Sequence, residues 1–163
     1  MLPLTHQSHF EIASLNALSD FAGQLAALLQ PGDVVALNGT LGAGKTTLVQ
    51  CLCRALGLKE TASSPTFVLM NEYVSGRFPI VHVDLYRLGE ERAHSLMDEL
   101  MAVVDEGRAL VLVEWACYGR FLDEVLTVSL QMDTLPEQPE ARIIQIASNR
   151  PLVFQTQSED GSS

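Results

Sequence analysis

The sequence predicts an α/β fold of three layers: a mostly parallel central sheet, helices on both faces, and an antiparallel strand pair at the C-terminal end. Three observations carry that expectation. Val34–Leu37, a run ending near Asp84, and Ala109–Trp115 are short and almost wholly apolar, as strands covered on both faces are. Segments with helical spacing separate them. Glu124–Asp133 and Glu140–Ser148 instead alternate apolar with polar residues.

Taken in order, Ser14 is placed to cap a helix over Leu15–Leu29. There Leu15, Leu18, Phe21, Ala22, Leu25, Ala26 and Leu29 recur at spacings of three and four. The stretch QPGD, Gln30–Asp33, stops it, and the strand Val34–Leu37 follows. A glycine-rich loop leads into a helix over about Lys45–Leu56, ended by Gly57. Glu60–Val74 is polar and then strand-like, and Phe78–Leu88 holds a second buried strand closing near Asp84. Glu90–Val104 reads as helix and Ala109–Trp115 as the most apolar strand. The two alternating segments at the C-terminal end are joined by TLPEQPE, Thr134–Glu140. Residues 1–154 form one predicted domain, and the polar tail 155–163 is expected to be disordered.

Composition narrows the function. Of 163 residues, 47% are hydrophobic and 18% charged, enough apolar material for a core but with no run near the ~20 residues of a membrane helix. The N-terminus lacks the basic and apolar regions of a secretory signal. Three cysteines, an odd and sparse set, fit a reducing cytoplasm, with Cys51 and Cys53 expected as buried small hydrophobes. The net charge is −10, from 20 acidic residues against 10 Lys plus Arg. Nucleic-acid affinity rests on cations displacing counterions, so any link to RNA is expected to run through a partner.

The loop carries the chemistry. Gly39, Thr40, Leu41, Gly42, Ala43, Gly44, Lys45 and Thr46 match G-x-x-x-x-G-K-[ST], with Thr47 opening the helix. Glycines allow successive N–H groups to face phosphate oxygens, and the helix adds its positive dipole end. Lys45 would reach the terminal phosphates and Thr46 would offer its hydroxyl to Mg²⁺. A P-loop NTPase-like fold is therefore expected, because the preceding strand and following helix are the context such a loop requires.

Magnesium usually takes one or two carboxylates beside substrate oxygens and water. Asp84 and Glu114 close predicted strands at the edge where α/β sheets bind ligands. One is expected to hold the metal and the other to orient the attacking water, and the sequence does not divide those roles. Ser63–Phe67, SSPTF, is a candidate switch segment sensing the terminal phosphate.

GTLGAGKTT, SSPTFVLMNEY, HVDLYRL and LVEW, in this order and at these separations, resemble the bacterial TsaE (YjeE) family over about Phe21–Trp115. That resemblance implies Mg²⁺-dependent ATP hydrolysis needed for N6-threonylcarbamoyladenosine modification of tRNA, with the TsaD–TsaB pair as partner and tRNA met only through it. The family's motifs fall on Lys45 and Thr46, on Ser64, Pro65 and Thr66, on His82, Asp84, Tyr86 and Arg87, and on Glu114 and Trp115. It thereby implies a catalytic set of Lys45, Asp84, Glu114 and Thr66. Trp115 is placed to pack near the nucleotide or in the core. His82 reads as a packed strand residue. Two departures stand out: Thr40 where the family usually has an acid, and Ala116 where it has proline.

Rival readings stay open at this point. A small-molecule kinase would need a basic lid, and Arg87, Arg92, Arg108 and Arg120 do not cluster as one. A GTPase would need an N-K-x-D guanine reader, which the chain lacks. A nucleotide sensor that does not hydrolyse its ligand would use every residue named above.

Overall fold

The computed structural model describes residues 3–62, 70–86 and 88–155. Among the described residues seven strands form one sheet in the order β1-β7-β6-β2-β5-β4-β3. In chain order they are β1 (His6–Ile12), β2 (Val34–Gly39), β3 (Met70–Tyr73), β4 (Ile80–Asp84), β5 (Leu110–Glu114), β6 (Val128–Leu135) and β7 (Gln138–Ser148). The helices are α1 (Leu15–Leu28), α2 (Lys45–Ala55) and α3 (Gly89–Glu106). The inner strands β6, β2, β5 and β4 run parallel, while β1, β7 and β3 join antiparallel.

The expected three layers are present. Along β2 and β5 successive residues face opposite ways. Val35, Leu37, Leu110 and Leu112 pack with α1 and α2, whereas Val34, Ala36, Val111 and Val113 pack with Leu96 and Leu100 of α3. The inner strands read as continuous apolar runs because both faces are covered. Ser14 caps α1 as its position implies, its Oγ accepting the Ala17 N–H at 3.1 Å.

Three expectations are revised. Strand β1, which the sequence did not suggest, pairs with β7 from His6 opposite Ser148 to Ile12 opposite Arg142. Its polar residues line a sheet edge, so no apolar run marks it. Strand β6 begins at Val128 rather than Glu124, because two short 3-10 turns, Ala116–Tyr118 and Arg120–Leu122, lie between β5 and β6 and bury Ala116 and Leu122. The β6–β7 connection is also tighter than the Thr134–Glu140 stretch implied, since β6 continues to Leu135 and β7 starts at Gln138. The Ser63–Phe67 switch candidate, with Thr66, falls outside the described residues, as do Arg87 and the tail from 156. Gln155 donates its N–H to Gln24 Oε1 at 2.8 Å.

Parallel pairing puts the C-terminal ends of β2, β4, β5 and β6 at one edge. Asp84 stands beside Glu114, and Glu114 beside Leu37, in register. The loop after β2 therefore opens directly beside both acids.

Candidate phosphate-binding site

The loop's shape follows from its glycines. Gly39 has φ +144°, and a Cβ there would lie 2.2 Å from the Met132 carbonyl oxygen of β6. Gly44, at φ +98°, turns the chain into α2. No side chain fits the first position, and one at the second would be strained.

Lys45 is the first residue of α2 and is buried. Its Nζ donates to the Gly39 and Thr40 carbonyls, each at 2.9 Å, and sits 3.9 Å from the centre of the Trp115 ring. Burial pushes the ammonium below its ordinary pKa, while the charges of Glu114 and Asp84 pull it back up. The ammonium is thus held over the loop by carbonyl dipoles and an aromatic face, with no carboxylate in contact among the described residues.

Glu114, 2% exposed, closes β5. The Thr46 hydroxyl lies 3.0 and 2.9 Å from its two oxygens, its one proton shared between them. His82 of β4, fully buried, directs Nε2–H to Glu114 Oε1 at 2.9 Å, and among the described residues its Nδ1 has no partner. Asp84, also buried, accepts the Tyr86 N–H on Oδ1 at 3.1 Å. Trp115 adopts a left-handed φ of 57°, and its N–H reaches the Leu37 carbonyl at 2.8 Å. That kink leaves the indole against Lys45 instead of on the next strand position. Tyr86 and Tyr118 flank it, with ring centres 4.7 and 6.1 Å away.

One cavity of about 580 Å³ takes in Leu41, Gly42, Gly44, Lys45, Thr46 and Thr47 with Asp84, Tyr86, Glu114 and Trp115. That is within the roughly 300–1,000 Å³ of small-ligand sites. Lys45, Thr46, Asp84, Glu114 and Trp115, each singled out in the sequence, therefore meet in one place.

Two contacts at the site escaped the sequence reading. His82 looked like strand packing, and only the register of β4 against β5 reveals its reach to Glu114. Arg142 of β7 also lines the cavity, and its Nε donates to the Ala43 carbonyl at 2.7 Å. Nothing in the alternation of β7 sets it apart from any other strand cation.

A glycine-rich loop between a buried strand and a helix, opening onto acids at neighbouring strand ends, defines a P-loop-like α/β protein. The crystal structure of Bacillus subtilis YdiB is similar over 92% of this chain and 88% of its own, with a TM-score of 0.66 and 27% identity. The chain belongs to the TsaE family: the family model described as threonylcarbamoyl adenosine biosynthesis protein TsaE matches residues 12–143. Relatives named tRNA threonylcarbamoyladenosine biosynthesis protein TsaE include one from Synechocystis, 46% identical over 55% of this chain, and one from Bacillus subtilis, 42% identical over 56%. These matches span 57% and 55% of those relatives' lengths. One from Aquifex aeolicus is 35% identical over 67% of this chain and 77% of its own. Among the described residues no helix is long and apolar enough to cross a membrane.

Proposed function

We propose that this protein binds ATP with Mg²⁺ and hydrolyses it in support of tRNA threonylcarbamoyladenosine formation, acting on a TsaD–TsaB type complex in the cytoplasm. One observation carries the reading: Lys45, Thr46, Asp84 and Glu114 converge on a single cavity at the ligand edge of the sheet. The Thr46 hydroxyl and the two carboxylates offer oxygen donors only, the set that suits a hard, small cation. Thr46 and Asp84 would hold Mg²⁺, which when bound supplies charge neutralisation at the phosphate oxygens, leaving Glu114 for the water.

The chain's own groups do the rest. A triphosphate draws Lys45 from the carbonyls of Gly39 and Thr40, because full negative charges attract an ammonium more strongly than peptide dipoles do. Loop N–H groups and the α2 dipole take the bridging phosphates. Glu114 orients a water toward the terminal phosphorus, and His82 holds that carboxylate in place. Water oxygen bonds to phosphorus as the bond to the ADP oxygen breaks, and the water gives up a proton to an oxygen of the departing phosphate.

The test is phosphate release from Mg·ATP without a metabolite acceptor, measured alone and with the TsaD–TsaB pair. Release that rises with the pair supports the reading. Tight binding with no release in either condition overturns hydrolysis and leaves a sensor. Lys45→Ala should weaken ATP binding at least about tenfold in calorimetry, since it removes a charge-assisted contact.

A further inference from the structure

The glycine-rich loop rests on the β6–β7 hairpin and touches it at both ends. At the loop's start, Gly39 pairs with Met132 of β6, so closely that a Cβ would collide with the Met132 carbonyl. At its end, a Cβ on Gly44 would stand 3.7 Å from Arg142 Nε of β7 and 3.9 Å from Met132 Cε. Beside that contact, Arg142 Nε donates to the Ala43 carbonyl at 2.7 Å.

Arg142 stands where the strand pattern would continue an apolar row. Residues two apart on β7 share a face, and Ile146 and Ile144 fill the core on the α1 and α2 side. Arg142 is next in that row and half-buried, yet among the described residues no carboxylate pairs with it. Carbonyls hold it instead, with Nη1 on Pro139 at 2.6 Å and on Ala141 at 2.8 Å. Both belong to β7 itself, so the guanidinium fork is fixed before it meets the loop. Ala43 is fully buried, and its carbonyl has no bulk water to replace this charged donor.

The grip sets a direction. In a trans peptide the C=O and the N–H point opposite ways. With the Ala43 carbonyl drawn to β7, the N–H of the same peptide, that of Gly44, points away from the guanidinium. Among the described residues that N–H donates to no backbone carbonyl, and Gly44 lines the phosphate cavity. Nothing local enforces this orientation, because the φ freedom of Gly44 makes the flipped peptide accessible. Flipped, it would aim a carbonyl oxygen where an anion has to sit.

We propose that Arg142 is a positioning residue for phosphate binding: its hold on the Ala43 carbonyl locks the Gly44 N–H toward the bridging phosphates. It acts through the loop and not on the reacting atoms. The proposal rests on the ATP reading above, and its test separates the two.

Calorimetric titrations of Mg·ATP and Mg·tripolyphosphate into the full-length protein supply that test. Arg142→Met, which keeps the length of the side chain but none of its donors, should weaken both ligands by the same factor, about tenfold. Arg142→Lys retains the charge but offers one nitrogen to three carbonyls, and should still lose about threefold or more. In phosphate-release assays the Lys variant should raise KM while kcat stays within about twofold, the mark of a contact made equally in ground and transition states. The Gly44 amide resonance, shifted by tripolyphosphate in wild type, should move less in either variant. A lysine variant that binds like wild type would show that charge alone suffices, and would overturn the proposal even if the methionine variant does not fold. Unchanged tripolyphosphate affinity in a folded Arg142→Met, or a loss confined to ATP, would overturn it too. If wild type binds neither ligand, the ATP reading falls and the proposal with it.

Discussion

Two buried carboxylates, Asp33 and Glu114, lie at opposite ends of the parallel strands, each 2% exposed. Their surroundings differ. Asp33 is saturated: Oδ1 accepts from Thr127 Oγ1 at 2.9 Å and Arg150 Nη1 at 2.7 Å, and Oδ2 from the Gln30 N–H at 2.9 Å and Arg150 Nη2 at 2.7 Å. Its cation is bidentate and further tied to the Leu28 carbonyl at 3.0 Å. Among the described residues Glu114 meets only a hydroxyl and an imidazole, while the nearby ammonium of Lys45 is engaged by loop carbonyls. One acid closes a joint between α1, β2 and the end of the chain's last strand. The other retains acceptor capacity facing a cavity. Burial alone therefore does not separate the two acids; incomplete neutralisation beside an opening does.

The largest expected effect tests the first half of that contrast. Asp33→Ala leaves Arg150 without its partner and Thr127 and Gln30 without their acceptor, and should lower unfolding free energy by about 3 kcal/mol in urea titrations. A loss below about 1 kcal/mol would show that the joint is a surface pair of little weight. Next comes Glu114→Gln, which keeps the hydrogen-bonding shape but not the charge. Phosphate release should fall about 100-fold, close to 2.7 kcal/mol of barrier, with stability changed by less than about 1 kcal/mol. Destabilisation matching that of Asp33→Ala would erase the distinction between the two acids.

His82 sharpens the comparison. His82→Phe fills the space without the Nε2–H, and should lower turnover about tenfold at nearly unchanged ATP affinity. His82→Gln, whose amide can reach the Glu114 oxygen, should recover most of it. Equal losses in both variants would indicate packing rather than positioning. The smallest effect reads how open the ligand edge is. Burial pushes the Cys53 thiol up to about 12 and raises Cys51 as well, so both hold little thiolate at neutral pH. Cys117, three residues past Glu114, is exposed. Near pH 7.5 one thiol per chain should react rapidly with iodoacetamide, and the other two only on denaturation. Three fast thiols would contradict the packing of α2 on the sheet.

Local chemistry explains what was legible. The α1 periodicity and Ser14 cap, the loop between β2 and α2, and the acids ending β4 and β5 each depend on neighbours within a few residues. Strand β1 was missed because an edge strand needs no continuous apolar run, only a partner in β7. The onset of β6 was misplaced because Val125 and Leu126 are apolar for a different reason: they pack beneath the short 3-10 turns, against the α3 side of the sheet.

By itself the sequence determined the glycine-rich loop, the two acids and the alternation that makes an α/β sheet. These follow from glycine's φ freedom, the periods of helix and strand, and the short range of capping. Only the tertiary structure decided that His82 bonds Glu114 across 32 residues, that Arg150 reaches Asp33 across 117, and that Arg142 braces Ala43 across 99. Such contacts are set by strand order and register, which many distant residues choose together and no local stretch encodes.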